Sequence, residues 1–161
     1  EEIRRRVDAV CQKLSIDPFR DTPTHFLSGG QKKRVSIADI LVMRPSLLIL
    51  DEPFSALDPK PAQMIDEILS QLAREGITVV IATHNAAQAY RWADRVVILH
   101  NGCIQAQGTP EQIFCDQALL QRTSLVPPEI LTISRALQQK KLLPDGSFPK
   151  TVESLCSMLL C

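Results

Sequence analysis

The chain has 161 residues, of which 45% are hydrophobic, and its 18 basic side chains are balanced by 18 acidic ones. This length and composition suit one globular domain or most of one. The balanced charge argues against a general affinity for nucleic acid or anionic membranes, and no apolar run approaches the roughly 20 residues of a membrane-spanning helix. The five cysteines are scattered without a C-x-x-C pair, which predicts free thiols rather than a disulfide framework or a zinc site.

The first third of the chain predicts two helices and one strand. Apolar residues at helical spacing predict a helix over 2–14, and a polar connection follows. Ser28 is a good N-cap, and the two glycines after it allow a tight turn into a helix over about 30–43. Pro45 ends that helix. The wholly apolar run Leu47–Leu50 is typical of a strand buried on both faces of a parallel sheet.

The middle of the chain continues the alternation of helices and strands. Pro59 or Pro61 opens a helix with an apolar stripe, and Gly76 is its predicted C-terminal cap. The β-branched run Ile77–Ala82 predicts another buried strand, and a helix over about 85–93 follows. This order is typical of an α/β fold.

The last part of the chain changes its pattern. Arg95–His100 and Cys103–Gln107 flank Asn101-Gly102, a strong signal for a two-residue hairpin turn. After Gly108 the pattern predicts short helices only, over about 110–123, 128–140 and 150–160. Proline and glycine residues separate these helices.

Two acidic residues stand at the end of the first predicted strand. Asp51 and Glu52 follow Leu50 directly, and open α/β sheets place their ligand sites at carboxyl ends of strands. One carboxylate there can hold Mg²⁺ together with substrate phosphates. The second can orient a water for attack on a phosphoryl group. Taken alone, the apolar run followed by the acidic pair favours a strand that simply ends in two solvated acids.

A helix start with exposed backbone amides precedes that strand. Ser28-Gly29-Gly30 places a hydroxyl and several N–H groups at the helix N-terminus, an arrangement that binds phosphate well. By itself the tripeptide predicts only a serine-capped helix. The basic triplet Lys32-Lys33-Arg34 is interpreted as a solvated helix face with one structural arginine, Arg34.

Four motifs together resemble ABC (ATP-binding-cassette) ATPases. Leu27-Ser28-Gly29-Gly30-Gln31 is identified as the family signature, and Leu47–Glu52 resembles the Walker B strand with its downstream glutamate. Ser55–Asp58 is similar to the D-loop, and Thr83-His84 to the switch histidine. The resemblance runs from about Glu2 to Phe114. No phosphate loop of the form G-x-x-x-x-G-K-S/T occurs in the sequence.

The resemblance implies the fold class and the domains. It implies an α/β P-loop NTPase core of the ABC ATPase type, with a mostly parallel sheet that is incomplete at the N-terminus. That core occupies residues 1–114, and a short helical C-terminal extension occupies 115–161.

The resemblance also implies a site that binds ATP and Mg²⁺. Its catalytic residues would be Glu52 and His84, and Asp51 would hold the metal ion. The signature would contact nucleotide bound to a partner cassette. The implied nucleotide-contacting residues are Ser28, Gly29, Gly30, Gln31 and Asp58. Without a phosphate loop, the chain alone is expected to be inactive.

The wider context is likewise an implication of the resemblance. Gly30–Ala38 and Leu125–Ile130 resemble the energy-coupling-factor ATPases, especially the cobalt/nickel type. We therefore expect an ATP-hydrolysing subunit of an importer for a metal ion or vitamin, lying peripherally on the cytoplasmic face of the cell membrane. Its expected partners are a second ABC ATPase subunit and a transmembrane coupling subunit, with no nucleic acid. The alternatives are a soluble ABC ATPase that acts on DNA or ribosomes, and a non-catalytic fragment.

Overall fold

The computed structural model describes residues 1–160, and these form two compact units, Glu1–Thr83 and a second that begins at His84. Each unit combines helices with a two-stranded sheet, which agrees with the predicted α/β character. Within the described residues no helix has both the length and the hydropathy that crossing a bilayer requires.

The first unit contains three helices and a parallel pair of strands. In chain order these are α1 (Glu2–Lys13), α2 (Gly29–Leu41), β1 (Leu47–Asp51), α3 (Pro59–Arg74) and β2 (Thr78–Ala82). The strands pair in parallel with Leu48 opposite Val79 and Asp51 opposite Ala82. Both strands therefore end at the same edge of the sheet, and that edge carries the residues of interest.

A single arginine holds α1 against the start of α2. The Arg34 guanidinium donates hydrogen bonds to the carbonyl oxygens of Leu14 and Ser15, at 3.2 and 2.9 Å. It also lies 4.9 Å from the centre of the Phe19 ring, a cation–π contact. Partial burial lowers the pKa of the Arg34 guanidinium. The prediction that Arg34 is structural is confirmed.

The sheet of the first unit is buried on one face only. Leu48 is 1% exposed, whereas Leu47, Ile49 and Val80 are 49%, 66% and 46% exposed. The expectation that these strands are buried on both faces is wrong. Successive strand side chains point to opposite faces, and in the described part of the chain the helices of this unit cover the Leu48 face alone.

The second unit is a hairpin with five helices around it. Its elements are α4 (Ala86–Trp92), β3 (Val96–His100), β4 (Cys103–Gly108), α5 (Pro110–Cys115), α6 (Gln117–Thr123), α7 (Glu129–Gln139) and α8 (Val152–Leu159). The strands are antiparallel. Asn101 and Gly102 have φ angles of 50° and 73°, as a type I′ turn requires. The predicted hairpin is confirmed.

The core of the second unit is built around two aromatic rings. Tyr90 and Phe114 are buried and meet edge to face, with ring centres 6.0 Å apart and planes at 86°. Such a geometry is favourable for aromatic pairs. The remaining buried members of this core are Val96, Ile98, Ile113, Leu119, Leu120 and Leu131.

The single helix predicted over 110–123 is wrong, because the chain bends at Asp116. There the backbone leaves the helical region, with φ −79° and ψ 96°. The Asp116 carboxylate then accepts a hydrogen bond of 2.9 Å from the Leu119 amide and caps a new helix, α6. The two later helices begin and end close to their predicted positions.

Candidate functional site

The first turn of α2 is closed by a reciprocal pair of hydrogen bonds. The Gln31 amide donates to the Ser28 hydroxyl at 3.3 Å, and the Ser28 amide donates to the Gln31 side-chain oxygen at 2.8 Å. This is a capping box. The predicted N-cap at Ser28 is therefore confirmed. The side chains of Ser28 and Gln31, which the resemblance assigns to nucleotide contact, are thus already hydrogen-bonded within this turn.

The two glycines of this turn have different surroundings. A Cβ atom placed on Gly30 would lie 2.8 Å from the Cβ of Pro61, at the start of α3. A Cβ on Gly29 would meet only the Leu57 side chain at 3.7 Å and the Ala56 carbonyl oxygen at 4.0 Å. Gly30 is thus required by helix packing, whereas packing leaves Gly29 room for a methyl group.

Asp58 is the N-cap residue of α3, yet its carboxylate makes no capping hydrogen bond. The local sequence removes one of the two amide donors that such a cap can use. An N-cap side chain accepts from the second or third helical amide, and the third helical residue here is Pro61, which has no N–H. Pro59 also lacks one. The Asp58 side chain is exposed, and Leu57 and Pro61 on either side of it lie near Gly29 and Gly30.

Asp51 and Glu52 lie where the sequence predicts them, at the carboxyl end of β1. Asp51 is exposed and Glu52 is half-buried. The Glu52 amide donates to the Ala82 carbonyl oxygen at 2.9 Å, so the pairing of the two strands extends one residue beyond β1. The Thr83 hydroxyl donates to the Glu52 carboxylate at 3.1 Å.

The residues present fit a magnesium ion that is held mainly by a substrate. Residues 1–160 contain no group of three or more His, Cys, Asp or Glu side chains that could hold a metal ion. Mg²⁺ is commonly held by one or two carboxylates together with substrate phosphates and water. The exposed Asp51 carboxylate meets that requirement, because it can approach an ion from the sheet edge.

His84 is exposed and is the first residue of the second unit. It directly precedes Asn85, whose side-chain oxygen caps α4 by accepting from the Gln88 amide at 3.0 Å. The structure thus places His84 immediately after Thr83, the residue that contacts Glu52. The proposed role of His84 on a phosphate stays a prediction.

Sequence reasoning missed two contacts of the site, those of Lys33 and Thr83. The interpretation of Lys33 as part of a solvated face is wrong, because its side chain is half-buried and donates to the Glu52 carbonyl oxygen at 3.2 Å. Lys33 lies three residues after Gly30 and four before Ile37, which are both buried, and this spacing could have indicated the contact. Residues three and four apart share a helix face.

The chain is similar to known proteins over most of its length. A family described as "ABC transporter" matches residues 2–55. The energy-coupling factor transporter ATP-binding protein EcfA2 of Methanospirillum hungatei is 41% identical over 152 residues, which are 94% of this chain and 38% of that protein. EcfA of Methanocaldococcus jannaschii is 37% identical over 144 residues, 89% of this chain and 52% of that protein.

A solved structure gives the same result. The structure of cbiO1 from Clostridium perfringens, described as part of the ABC transporter complex cbiONQ, is 39% identical with a TM-score of 0.65. The match covers 82% of this chain and 53% of that one. The chain spans from 35% to 55% of the length of the first curated relatives that it matches.

Proposed function

The chain belongs to the ATPase domains of ABC transporters, close to the energy-coupling factor ATP-binding proteins, and we propose that it forms part of the ATP-hydrolysing subunit of an importer of that type. Family membership confirms the predicted α/β ABC ATPase fold class. The observation that carries the proposal is the carboxylate of Glu52, which a hydroxyl holds at the edge where both parallel strands end.

Each predicted site residue has a distinct part in this proposal. Asp51 would hold Mg²⁺, which supplies charge neutralisation to the phosphates when it is bound. Glu52 would orient and polarise the attacking water, and His84 would donate a hydrogen bond to the γ-phosphate. The residues proposed to contact ATP are Ser28, Gly29, Gly30, Gln31 and Asp58. The shared position of the α2 turn and the 56–61 segment in one unit supports this grouping.

The proposed partners follow from the relatives. One relative of known structure is described as part of a transporter complex, and we extend that to a transmembrane coupling subunit and a second ATPase subunit here. The protein would then lie on the cytoplasmic face of the membrane, and the cargo would be a metal ion, with cobalt as the specific candidate, or a vitamin. We keep the division into a core at 1–114 and a helical extension at 115–161 as part of the proposal.

The chain by itself is proposed to be inactive. The phosphate loop supplies most of the amides and the lysine that hold nucleotide phosphates, and these 161 residues contain no such motif. The alternative of a soluble ABC ATPase that acts on DNA or ribosomes is less well supported, since the balanced net charge gives no general attraction for nucleic acid.

The test is Glu52→Gln in the full-length polypeptide that carries the chain. We expect ATP hydrolysis to fall by about a hundredfold or more while ATP binding is retained, because the amide keeps the shape and loses the charge. Glu67→Gln is a matched control, since Glu67 is an exposed glutamate on α3. Near-normal turnover by Glu52→Gln would show that Glu52 is not the catalytic carboxylate.

A further inference from the structure

Glu52 has a backbone conformation that few residues other than glycine adopt. Its φ angle is 43°, in the left-handed region, where a side chain is held only if the surroundings compensate. The residue before it ends β1, and the conformation turns the chain out of the sheet. The groups that keep Glu52 in this conformation therefore also decide where its carboxylate points.

Hydrogen bonds from several parts of the first unit hold this residue. The Glu52 amide donates to the Ala82 carbonyl oxygen in β2. Its own carbonyl oxygen accepts from the Ser55 amide at 3.1 Å and from Lys33 in α2 at 3.2 Å. Its carboxylate accepts from the Thr83 hydroxyl at 3.1 Å. Both main-chain groups and the side chain are thus fixed by separate donors and acceptors, so neither adjoining peptide plane can rotate without breaking a bond.

The contact of Lys33 is specific to its place on α2. Lys33 is half-buried and directed to the Glu52 carbonyl, whereas its neighbour Lys32 is exposed. Lys33 also lies one turn after Gly30, whose α-carbon packs against Pro61. A movement of the first turn of α2 would therefore reach the Glu52 main chain through one side chain.

We infer that Thr83 and Lys33 are positioning residues for Glu52, Thr83 by orienting its carboxylate and Lys33 by linking its main chain to the signature turn of α2. The inference rests on the proposed function and extends it. A catalytic carboxylate needs its own orientation fixed by supporting hydrogen bonds, because a small misplacement is costly in rate. Neither residue needs to touch the nucleotide for this role.

The first test uses Thr83 variants of the full-length polypeptide. Thr83→Val keeps the shape and removes the hydroxyl, and we expect the kcat of ATP hydrolysis to fall about tenfold with an unchanged KM. Thr83→Ser restores the donor and should recover most of the kcat. An unchanged kcat in Thr83→Val, or a failure of serine to rescue, would overturn the role of Thr83.

The second test uses two adjacent lysines. Lys33→Met should lower kcat by about tenfold, while Lys33→Arg, which keeps a charged donor, should recover part of it. Lys32→Met is the matched control, because it removes the same charge from the next position, and it should leave kcat unchanged. Equal losses in Lys32→Met and Lys33→Met would overturn the role of Lys33.

A combination of variants separates positioning from a general structural effect. In a Glu52→Gln background, Thr83→Val and Lys33→Met should cause no further loss of the residual rate, since residues that act through one group are not additive. Further losses of the original size would contradict the inference. A Glu52→Gln variant with normal turnover would instead defeat the proposed function, so the two failures are distinguishable.

Discussion

At the scale of single residues, the two glycines of the signature differ in their surroundings, so one can be used to test packing and the other to test ligand contact. Gly30 lies against Pro61 with no space for a methyl group, and Gly29 has that space. The sequence alone treats them as one motif. A substitution at each position therefore reports on a different property of the protein.

We expect Gly30→Ala to lower the free energy of unfolding by about 1–3 kcal/mol, because α2 and α3 must separate to admit the methyl group. Gly29→Ala should be neutral or stabilising by about a few tenths of a kcal/mol. Alanine is favoured over glycine by about 0.5–1 kcal/mol in a helix interior, and by less at the first helical position. Urea unfolding of the full-length polypeptide measures both. If ATP turnover falls in Gly29→Ala while its stability is normal, the loss reflects ligand contact and not packing. Equal destabilisation by the two variants would contradict the prediction.

Tyr90 offers a second test at this scale, because the chain contains a single tyrosine. Its hydroxyl is buried and has no hydrogen-bond partner among the described residues. Burial, with smaller contributions from Glu111 and Cys115, raises the pKa of this phenol above its ordinary value. The unfolded chain therefore loses the phenolic proton at a lower pH than the folded protein does.

The sign of the pH effect follows directly. Below about pH 10 both states keep the proton, and above it the unfolded state releases it, so stability falls by up to about 1.4 kcal/mol per pH unit. Tyr90→Phe should remove that slope. It should be neutral or stabilising at pH 7, since it removes an unsatisfied hydroxyl. The measurement is urea unfolding at pH 7 and at a pH above about 10. If the stability of Tyr90→Phe falls at alkaline pH as steeply as that of the unchanged protein, the prediction is wrong.

At the scale of elements, the sequence predicts best where local hydrogen bonds decide the structure. Ser28 caps α2, and Gly76 follows α3 with a φ of 91°. Each of these depends on a few neighbouring residues. Asp116 is also an N-cap residue, but the apolar pattern continues on both sides of it. The sequence therefore predicts one helix where the structure has two.

The failures have a different physical origin. The exposure of Ile49 and the contact of Lys33 with Glu52 both depend on which elements meet in space. An apolar run indicates a strand but not how many layers cover it. In the same way, the motifs locate Glu52 in the sequence, whereas two of the residues that hold it, Lys33 and Thr83, are 19 and 31 positions away.

The helical tail is the element most suited to a partner. Leu155 is buried, but Ile133, Val152 and Leu159 are exposed at 50%, 64% and 43%. Short helices with exposed apolar faces gain stability by packing against something. We propose that these exposed faces contact the second ATPase subunit, a partner that the family resemblance implies.

Deletion of residues 126–161 from the full-length polypeptide should therefore shift it towards monomer in the absence of nucleotide. Ile133→Asp should weaken association in the same direction, and Thr132→Asp, at an exposed neighbour on α7, is the matched control. Mass in solution across a range of concentrations measures the effect. Identical association of the truncated and intact proteins would show that the tail is not a dimerisation element.

At the scale of the whole molecule, both small sheets carry exposed apolar side chains. In the second unit Val97, Leu99 and Ile104 are exposed, as Leu47, Ile49 and Val80 are in the first. Two-stranded sheets are marginal in water without further packing, and exposed apolar strands promote association. These 161 residues by themselves should thus form a weakly stable molecule.

We expect the isolated chain to aggregate on heating and to refold poorly. Light scattering during a thermal melt is the measurement, and Ile49→Thr should reduce the scattering because it replaces an exposed aliphatic side chain on β1. Leu48→Thr, at the buried neighbour, should instead lower stability. A reversible, cooperative melt of the monomer above roughly 60 °C would contradict this expectation.

The reciprocal hydrogen bonds between Ser28 and Gln31 have a consequence for ligand binding and release. Because the turn is held by its own side chains, its shape forms without a ligand. A visiting anion then meets a preformed surface, and little conformational entropy is lost on its arrival. Under the proposed function, each round of ATP capture and release would then require no refolding of the first turn of α2.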